Sequence, residues 1–149
     1  YMTRENDVDL SEGDGGNSKV QDLKRRCEMV RKIQPDCVLS IHQNSYPEEA
    51  IHGAQVFYYE DSSEGKKLAE ILQKHLVEVL DKENHRQAKG NRTYYMLKKT
   101  EATLVIVECG FLSNNQEALL LTDEKYQNKV AKAICSGTLE YLSSLAEKK

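Results

Sequence analysis

The sequence predicts an α/β domain of three layers, in which a mainly parallel, twisted sheet is flanked by helices. Two observations predict this class. Several short apolar runs are rich in β-branched residues and have the length of buried strands. Between them lie longer segments whose apolar residues recur at steps of three and four, the period of an amphipathic helix. Strands that alternate with helices favour parallel pairing, with helices packed on the sheet.

The first half of the chain contains one predicted helix and two predicted strands. Apolar residues at helical spacing predict a helix over 19–34, which ends before Pro35 because the residue before a proline disfavours the helical conformation. The apolar run at 37–41 predicts a buried strand that ends at His42. A second strand is predicted over 54–59.

The second half predicts five elements, in order a helix over 63–82, a short strand over 94–97, a strand over 103–107, a short helix through 121 and a last helix from 123. The run at 103–107 is nearly free of polar residues, so we expect it to be buried on both faces before it ends in Glu108. Residues 113–116 have the S-x-x-Q form of a capping box, which places the start of the short helix there.

Composition limits the class of protein. A chain of 149 residues fits one domain, which can bury roughly two thirds of its unfolded surface. The net charge of −3, without a basic block, argues against a nucleic-acid partner. No apolar run approaches the roughly 18 residues of a membrane helix, and no signal-peptide pattern opens the chain. The four cysteines form no C-x-x-C pair, so we expect free thiols.

Two polar residues follow directly after predicted strands. His42 and Glu108 would lie at the carboxyl ends of their strands, where an open α/β sheet gathers its functional groups in one crevice. His42 is either a metal ligand or a histidine satisfied by hydrogen bonds, and its position does not separate the two. Glu108 could pair with a Lys or Arg, but a carboxylate after an apolar strand costs several kcal/mol if unpaired, and function is the commoner reason to tolerate it.

Other candidate sites are weaker. His75 and Glu78 lie three residues apart on a predicted helix and could be mistaken for a metal-binding pair, but solvated His and Glu are common on such helices. The sequence contains no nucleophile elbow, phosphate-binding loop or dinucleotide fingerprint. Serine hydrolase, NTPase and Rossmann-type functions therefore lack their required motifs.

Four motifs in order resemble those of the zinc-dependent N-acetylmuramoyl-L-alanine amidases: M-T-R at 2–4, S-I-H-x-N at 40–44, G-x-x-x-F-Y-Y at 53–59 and E-x-G-F-x-S-N at 108–114. These enzymes hydrolyse the amide bond between N-acetylmuramic acid and L-alanine in peptidoglycan. T-R-E at 3–5 with its long glycine-rich loop, G-A-Q-V-F-Y-Y at 53–59 and R-x-A-K at 86–89 are most similar to the germination-specific, spore-cortex members.

The resemblance implies roles for single residues. His42 becomes a zinc ligand and Glu108 the catalytic carboxylate beside the metal. Zinc activates water and polarises the amide carbonyl, while a nearby Glu can pass the proton of the water to the leaving nitrogen. Asn44, Arg86 and Lys89 are expected to bind substrate. The alternatives are that Asn44 holds its own turn, and that the two cations belong to a solvated surface.

The resemblance also implies a cellular setting. The substrate would be peptidoglycan, and in the spore cortex its cleavage is a step towards muramic-δ-lactam. The protein would act in the cell envelope after export, with an export signal or anchor outside this sequence. An accessory protein is a further candidate partner.

The family takes another histidine from a G-H-G-G loop and a glutamate from its first helix, and neither motif occurs in this sequence. The chain starts as if at the end of a strand, and 7–18 is an acidic, glycine-rich segment that predicts an exposed loop. We therefore expect 1–149 to be the C-terminal majority of the catalytic domain, with its first strand, first helix and two zinc ligands upstream of Tyr1. On this hypothesis the full-length protein binds zinc, whereas the fragment alone is inactive.

Two rival interpretations stay open. The chain could be a non-catalytic module on a degenerate amidase fold, which binds cell-wall glycan or another protein. It could also be an unrelated hydrolase that uses Glu108 with another carboxylate, and such an enzyme would work without zinc and resist chelators.

Overall fold

The computed structural model describes residues 1–11 and 18–147. Their helices and strands are, in chain order, α1 (Ser18–Ile33), β1 (Val38–Asn44), β2 (Gln55–Tyr59), α2 (Ser63–Leu80), β3 (Lys89–Asn91), α3 (Tyr95–Lys99), β4 (Leu104–Phe111), α4 (Asn115–Thr122) and α5 (Glu124–Ala146). Half of the predicted loop over 7–18, at 12–17, lies outside these residues; 7–11 form no helix or strand, and Ser18 already belongs to α1. All four cysteines are free thiols, as predicted.

The four described strands form one mixed sheet in the order β1-β4-β2-β3. β1 runs parallel to β4, and β2 runs parallel to β3. β2 and β4 join these two parallel pairs through an antiparallel ladder. Helices pack on the sheet from both sides, so the predicted three-layer α/β class is confirmed.

β4 is the central strand, and all eight of its residues are buried. Val105 and Val107 belong to the larger core, which they share with α2 and α5. Leu104 and Ile106 point to the opposite side and pack with α1 and α3. We call these two sides of the sheet the α5 face and the α1 face. The predicted burial of this run on both faces is therefore confirmed.

The helix α2 anchors the larger core. Its first turn is capped by the Ser62 hydroxyl, which accepts a hydrogen bond of 3.0 Å from the backbone N–H of Gly65. Leu68, Leu72 and Leu76 follow at helical spacing and are completely buried. α5 approaches α2 closely at Gly137, where an added Cβ would lie 2.9 Å from the Leu72 side chain. The two helices thus pack closely against each other on the α5 face of the sheet.

The structure corrects the prediction of a short strand over 94–97. Tyr94 is instead the N-cap of α3, and 95–97 lie inside that helix. The Asn91 side chain accepts hydrogen bonds from the backbone N–H groups of Thr93 and Tyr94 and turns the chain before the helix. The third strand is instead β3, just upstream. Its K-G-N sequence has no apolar pattern, because it pairs only with β2 at the sheet edge.

The predicted element ends also need correction. β1 and β4 continue beyond the apolar runs, so His42 and Glu108 lie inside strands and not after them. The N-cap of α4 is Asn114, whose side chain accepts the backbone N–H of Glu117 at 3.0 Å. Ser113, the predicted cap, accepts the backbone N–H of Tyr46 instead. The last helix begins beside its predicted residue, with Asp123 as the N-cap.

Within the parts of the chain that the structure describes, no helix is long and apolar enough to cross a membrane.

Gly53, at the entrance to β2, has a backbone conformation that requires glycine. Its φ is +99°, and an added Cβ would lie 2.7 Å from Oδ1 of Asn84. Asn84 cannot move away easily, because it is buried and its side chain bonds to the carbonyl of Ala54 and the N–H of Arg86. We expect Gly53→Ala to lower the free energy of unfolding by about 1–3 kcal/mol, measured by urea denaturation.

Gly90→Ala is the matched control for this prediction. Gly90 has no positive φ, and an added Cβ would first meet the exposed, flexible side chain of Glu60. Its effect should stay below about 1 kcal/mol. Equal losses in the two variants would contradict the argument from backbone conformation.

Candidate active site

Three polar residues lie side by side across the sheet. His42 on β1 is the parallel partner of Glu108 on β4, and Gln55 on β2 is its antiparallel partner. Directly paired residues project to the same face of a sheet. All three therefore project to the α1 face, in register with one another. The imidazole and the carboxylate that the sequence singled out meet on one surface.

Glu108 is a buried residue, and one oxygen of its carboxylate has no partner in the described part of the chain. Glu108 is 8% exposed, and its Oε2 atom has no hydrogen-bond partner among the described residues. Burial raises the pKa of its carboxyl group above the ordinary value. No ion pair between Glu108 and a Lys or Arg occurs in the described segments. The structural alternative for Glu108, an ion pair with a basic side chain, thus finds no support there.

An aromatic pair lies close to Glu108 on the α1 face. Phe57 is two residues from Gln55 along β2, and the Tyr94 ring meets it edge to face at a centroid distance of 5.4 Å. Burial, and then the charge of Glu108, raise the pKa of the Tyr94 phenol. Two aromatic rings thus lie near the carboxylate, and it is the burial of Glu108 that favours its protonated form.

His42 remains accessible to solvent on the edge strand β1. Its Nε2 atom lies 2.9 Å from the hydroxyl of Ser40, which projects to the same face. Partial burial of the ring, and then the positive charges of Arg26, Arg4 and Lys19, lower its pKa. A neutral imidazole is thereby favoured at neutral pH, and this is the form that binds metals.

The start of the chain is tied to the helix beside His42. Arg26 of α1 donates to Asp22 at 2.7 Å and to the hydroxyl of Thr3 at 2.7 Å. Asp22 also accepts the backbone N–H of Leu10. The M-T-R motif at 2–4 is thus held near the α1 face, and the charge of Arg4 reaches the His42 ring.

Arg86 is fixed at the Gln55 end of this row. Its guanidinium donates to Oε1 of Gln55 at 3.1 Å and to the carbonyl of His52 at 2.7 Å, and it lies over the Phe111 ring at 4.8 Å. Lys89 of β3 pairs with a residue that is two positions from Gln55, so it projects to the α1 face and is exposed. Both cations stand on the same side of the sheet as Glu108.

Asn44 closes β1 after His42. Its side-chain oxygen accepts the backbone N–H of Ser45 at 2.8 Å, and its carbonyl accepts the N–H of Leu112 at 2.8 Å. These bonds hold the turn that follows β1. Asn44 therefore has the structural role that the sequence offered as the alternative to substrate binding.

The other candidate site is absent from the described part of the chain. His75 bonds to Glu140 of α5 at 2.7 Å, and so it links two helices. No group of three His, Cys, Asp or Glu residues in the described ranges could hold a metal ion.

Sequence reasoning missed two residues of this region. Gln55 fell inside the G-x-x-x-F-Y-Y motif, and its alternation along β2 could have placed it on the same face as Phe57. Glu117 followed the recognised capping motif, and its carboxylate bonds to backbone groups of two strands. No short-range pattern predicts those distant partners.

The fold and the site define a class of three-layer α/β domains in which an imidazole and an unpaired carboxylate lie on adjacent strands. Within that class, the chain belongs to the N-acetylmuramoyl-L-alanine amidase family, whose profile matches residues 1–140.

Similar proteins agree with this assignment. The chain is 39% identical over 145 residues to the germination-specific N-acetylmuramoyl-L-alanine amidase of Bacillus subtilis (strain 168), a match that covers 95% of this chain and 61% of that protein. The chain thus spans about three fifths of the length of this curated relative.

Solved structures match the fold as well. The CwlD amidase from Clostridioides difficile, in complex with the GerS lipoprotein, matches with a TM-score of 0.92 and 38% identity over 97% of this chain and 75% of that one. The catalytic domain of CwlV, an N-acetylmuramoyl-L-alanine amidase from Bacillus (Paenibacillus) polymyxa, matches with a TM-score of 0.77 and 28% identity over 96% of this chain and 72% of that one.

Proposed function

We propose that the full-length protein is a zinc-dependent amidase that hydrolyses the bond between N-acetylmuramic acid and L-alanine in peptidoglycan. The buried, unpaired Glu108 beside His42 on one sheet face carries this proposal. The similarity to a germination-specific amidase supports spore cortex as the substrate, and cleavage there would be a step towards muramic-δ-lactam.

Zinc fits the residues present as part of its ligand set. His42 offers an accessible imidazole whose neutral form is favoured, and Glu108 has a free oxygen beside it. A catalytic zinc site needs about three protein ligands. We propose that the further ligands come from parts of the full-length protein outside the described residues.

The proposed hydrolysis assigns separate roles to the metal and to Glu108. Bound zinc would polarise the scissile carbonyl and lower the pKa of water towards about 7. Glu108, whose pKa is raised by burial, is suited to take a proton from the attacking water and deliver it to the leaving nitrogen.

Arg86 and Lys89 are proposed to orient carboxylates of the substrate. Both lie on the α1 face, and a guanidinium held at Gln55 and Phe111 loses little freedom when it binds a carboxylate. Asn44 is proposed to contact substrate from the end of β1 while it holds its turn.

The similar proteins also support proposals about a partner protein and about the location in the cell. The amidase in the Clostridioides difficile complex is bound to a lipoprotein, which supports an accessory protein as a partner here. Action on peptidoglycan requires export to the cell envelope, and the similarity to a germination-specific enzyme supports the spore cortex region.

Digestion of purified spore cortex and of vegetative peptidoglycan with the full-length protein tests this function. We expect free peptide stems in the mass spectrum, their loss on chelation and their return with zinc. Release that resists chelators would favour a carboxylate-only hydrolase. Binding to peptidoglycan without release would favour the non-catalytic module.

A further inference from the structure

The carboxylate of Glu117 joins two strands of the sheet. One oxygen accepts the backbone N–H of Gly53 at 3.0 Å, and the other accepts the backbone N–H of Phe111 at 2.8 Å. Phe111 is the last residue of β4, and Gly53 lies two residues before the start of β2. A single side chain on α4 therefore holds both backbones.

These two bonds lie directly beyond Glu108. The antiparallel ladder between β2 and β4 ends with the pair Gln55 and Glu108. Past that pair the strands no longer bond to each other, and the Glu117 carboxylate lies between them. The fit is close, because a Cβ on Gly110 would lie 3.3 Å from the carboxylate. Glu117 thus sets the separation of the two strands at the point where their own pairing stops.

The start of α4 leaves this carboxylate free for the task. In a capping box, the Glu at the third helical position reaches back to the N–H of the cap residue. Here that N–H, on Asn114, donates to the carbonyl of Phe111 at 3.1 Å. The Asn114 side chain still caps the N–H of Glu117, so the helix end is satisfied without the Glu117 carboxylate.

We propose that Glu117 is a positioning residue for Glu108: its two charge-assisted bonds fix the strand ends that hold the catalytic carboxylate. Such bonds are stronger than those between neutral groups. A displacement of about 1 Å at a reacting group can cost about 100-fold in rate. The role of Glu108 rests on the proposed function, whereas the clamp on the two strands is a structural property.

Substitution of Glu117 in the full-length protein tests the proposal. We expect Glu117→Ala to lower kcat about 10- to 100-fold while KM changes less than about 3-fold, because Arg86 keeps its bond to Gln55, which stays paired with Glu108 in the ladder. Glu117→Gln should recover part of the loss, since its amide oxygen accepts one of the two bonds and its NH2 group accepts none. If Glu117→Ala folds poorly, Glu117→Gln replaces it as the test variant.

Asp123→Ala is the matched control. It removes a carboxylate that caps α5 by accepting the N–H of Tyr126 at 2.8 Å, away from Glu108. Its kcat should equal that of the parent once both are assayed well below their melting temperatures. If Glu117→Ala loses no more kcat than Asp123→Ala, Glu117 is merely structural and the proposal is overturned.

Hydrogen exchange separates this proposal from the proposed function. The amides of Gly53 and Phe111 should lose protection in Glu117→Ala and keep it in Asp123→Ala, whether or not the parent releases peptide. Retained protection of both amides in Glu117→Ala would overturn the clamp. A parent that releases no peptide overturns the amidase proposal instead, and the exchange result still decides the clamp.

Discussion

Glu108→Gln in the full-length protein should abolish measurable peptide release while zinc stays bound. Glutamine has nearly the same shape, but its amide cannot take a proton from water, and loss of a general base costs about 10²- to 10⁴-fold in rate. Stem release by mass spectrometry and zinc content by elemental analysis are the two measurements. Glu101→Gln, in the exposed segment before β4, is the matched control and should keep full activity.

The same variant should become more stable relative to the parent as the pH rises. Burial raises the pKa of Glu108 above its ordinary value of 4.5, so the folded protein holds this proton to higher pH than the unfolded chain does. Above about pH 4.5 the parent loses stability until the folded-state pKa is passed, and the glutamine variant does not.

Urea unfolding of zinc-free parent and variant between acidic and neutral pH measures this difference. The stability advantage of Glu108→Gln should grow with pH and then level off. An advantage that is constant, or that shrinks towards neutral pH, would mean that the carboxylate has a partner which the structure does not contain. Full activity in the variant would remove Glu108 from the catalytic role.

The sequence predicted the parts of this site that depend on local pattern. The apolar runs before His42 and Glu108 identified two strands, because a sheet selects β-branched residues over several positions. Burial was predicted correctly for β4 only: β1 lies at the edge of the described sheet, where its residues are partly buried or exposed. The pairing of His42 with Glu108 depends on β1 lying beside β4, which is a choice between distant segments. The shared sheet face follows from that pairing, so pattern alone predicted convergence but not register.

Short elements and tertiary hydrogen bonds escaped prediction for a different reason. The tyrosines at 94 and 95 favour strands as single residues, yet the Asn91 side chain turns the chain and starts a helix there. β3 has three residues, too few for any periodicity. The capping motif located α4 to within about two residues, the usual precision of helix ends, but the partners of Glu117 come from 64 and 6 residues away along the chain.

His42→Ala in the full-length protein should lose both zinc and activity. A histidine is one of about three protein ligands in a catalytic zinc site, and two ligands hold the metal poorly. Loss of a residue that only supports a ligand already costs about 10- to 100-fold in affinity, so loss of the ligand itself should exceed that. Competition with a chelator of known affinity measures the change, and stem release should fall to background.

The fold should survive this substitution, which makes the result interpretable. In the described part of the chain the His42 side chain is exposed and β1 lies at the sheet edge, so its removal should change the free energy of unfolding of the zinc-free protein by about 0.5 kcal/mol or less. His85→Ala removes an exposed imidazole from the segment after α2 and should retain both metal and activity. Zinc retained in His42→Ala would show that His42 is not a ligand. Its role would then be the hydrogen bond to Ser40.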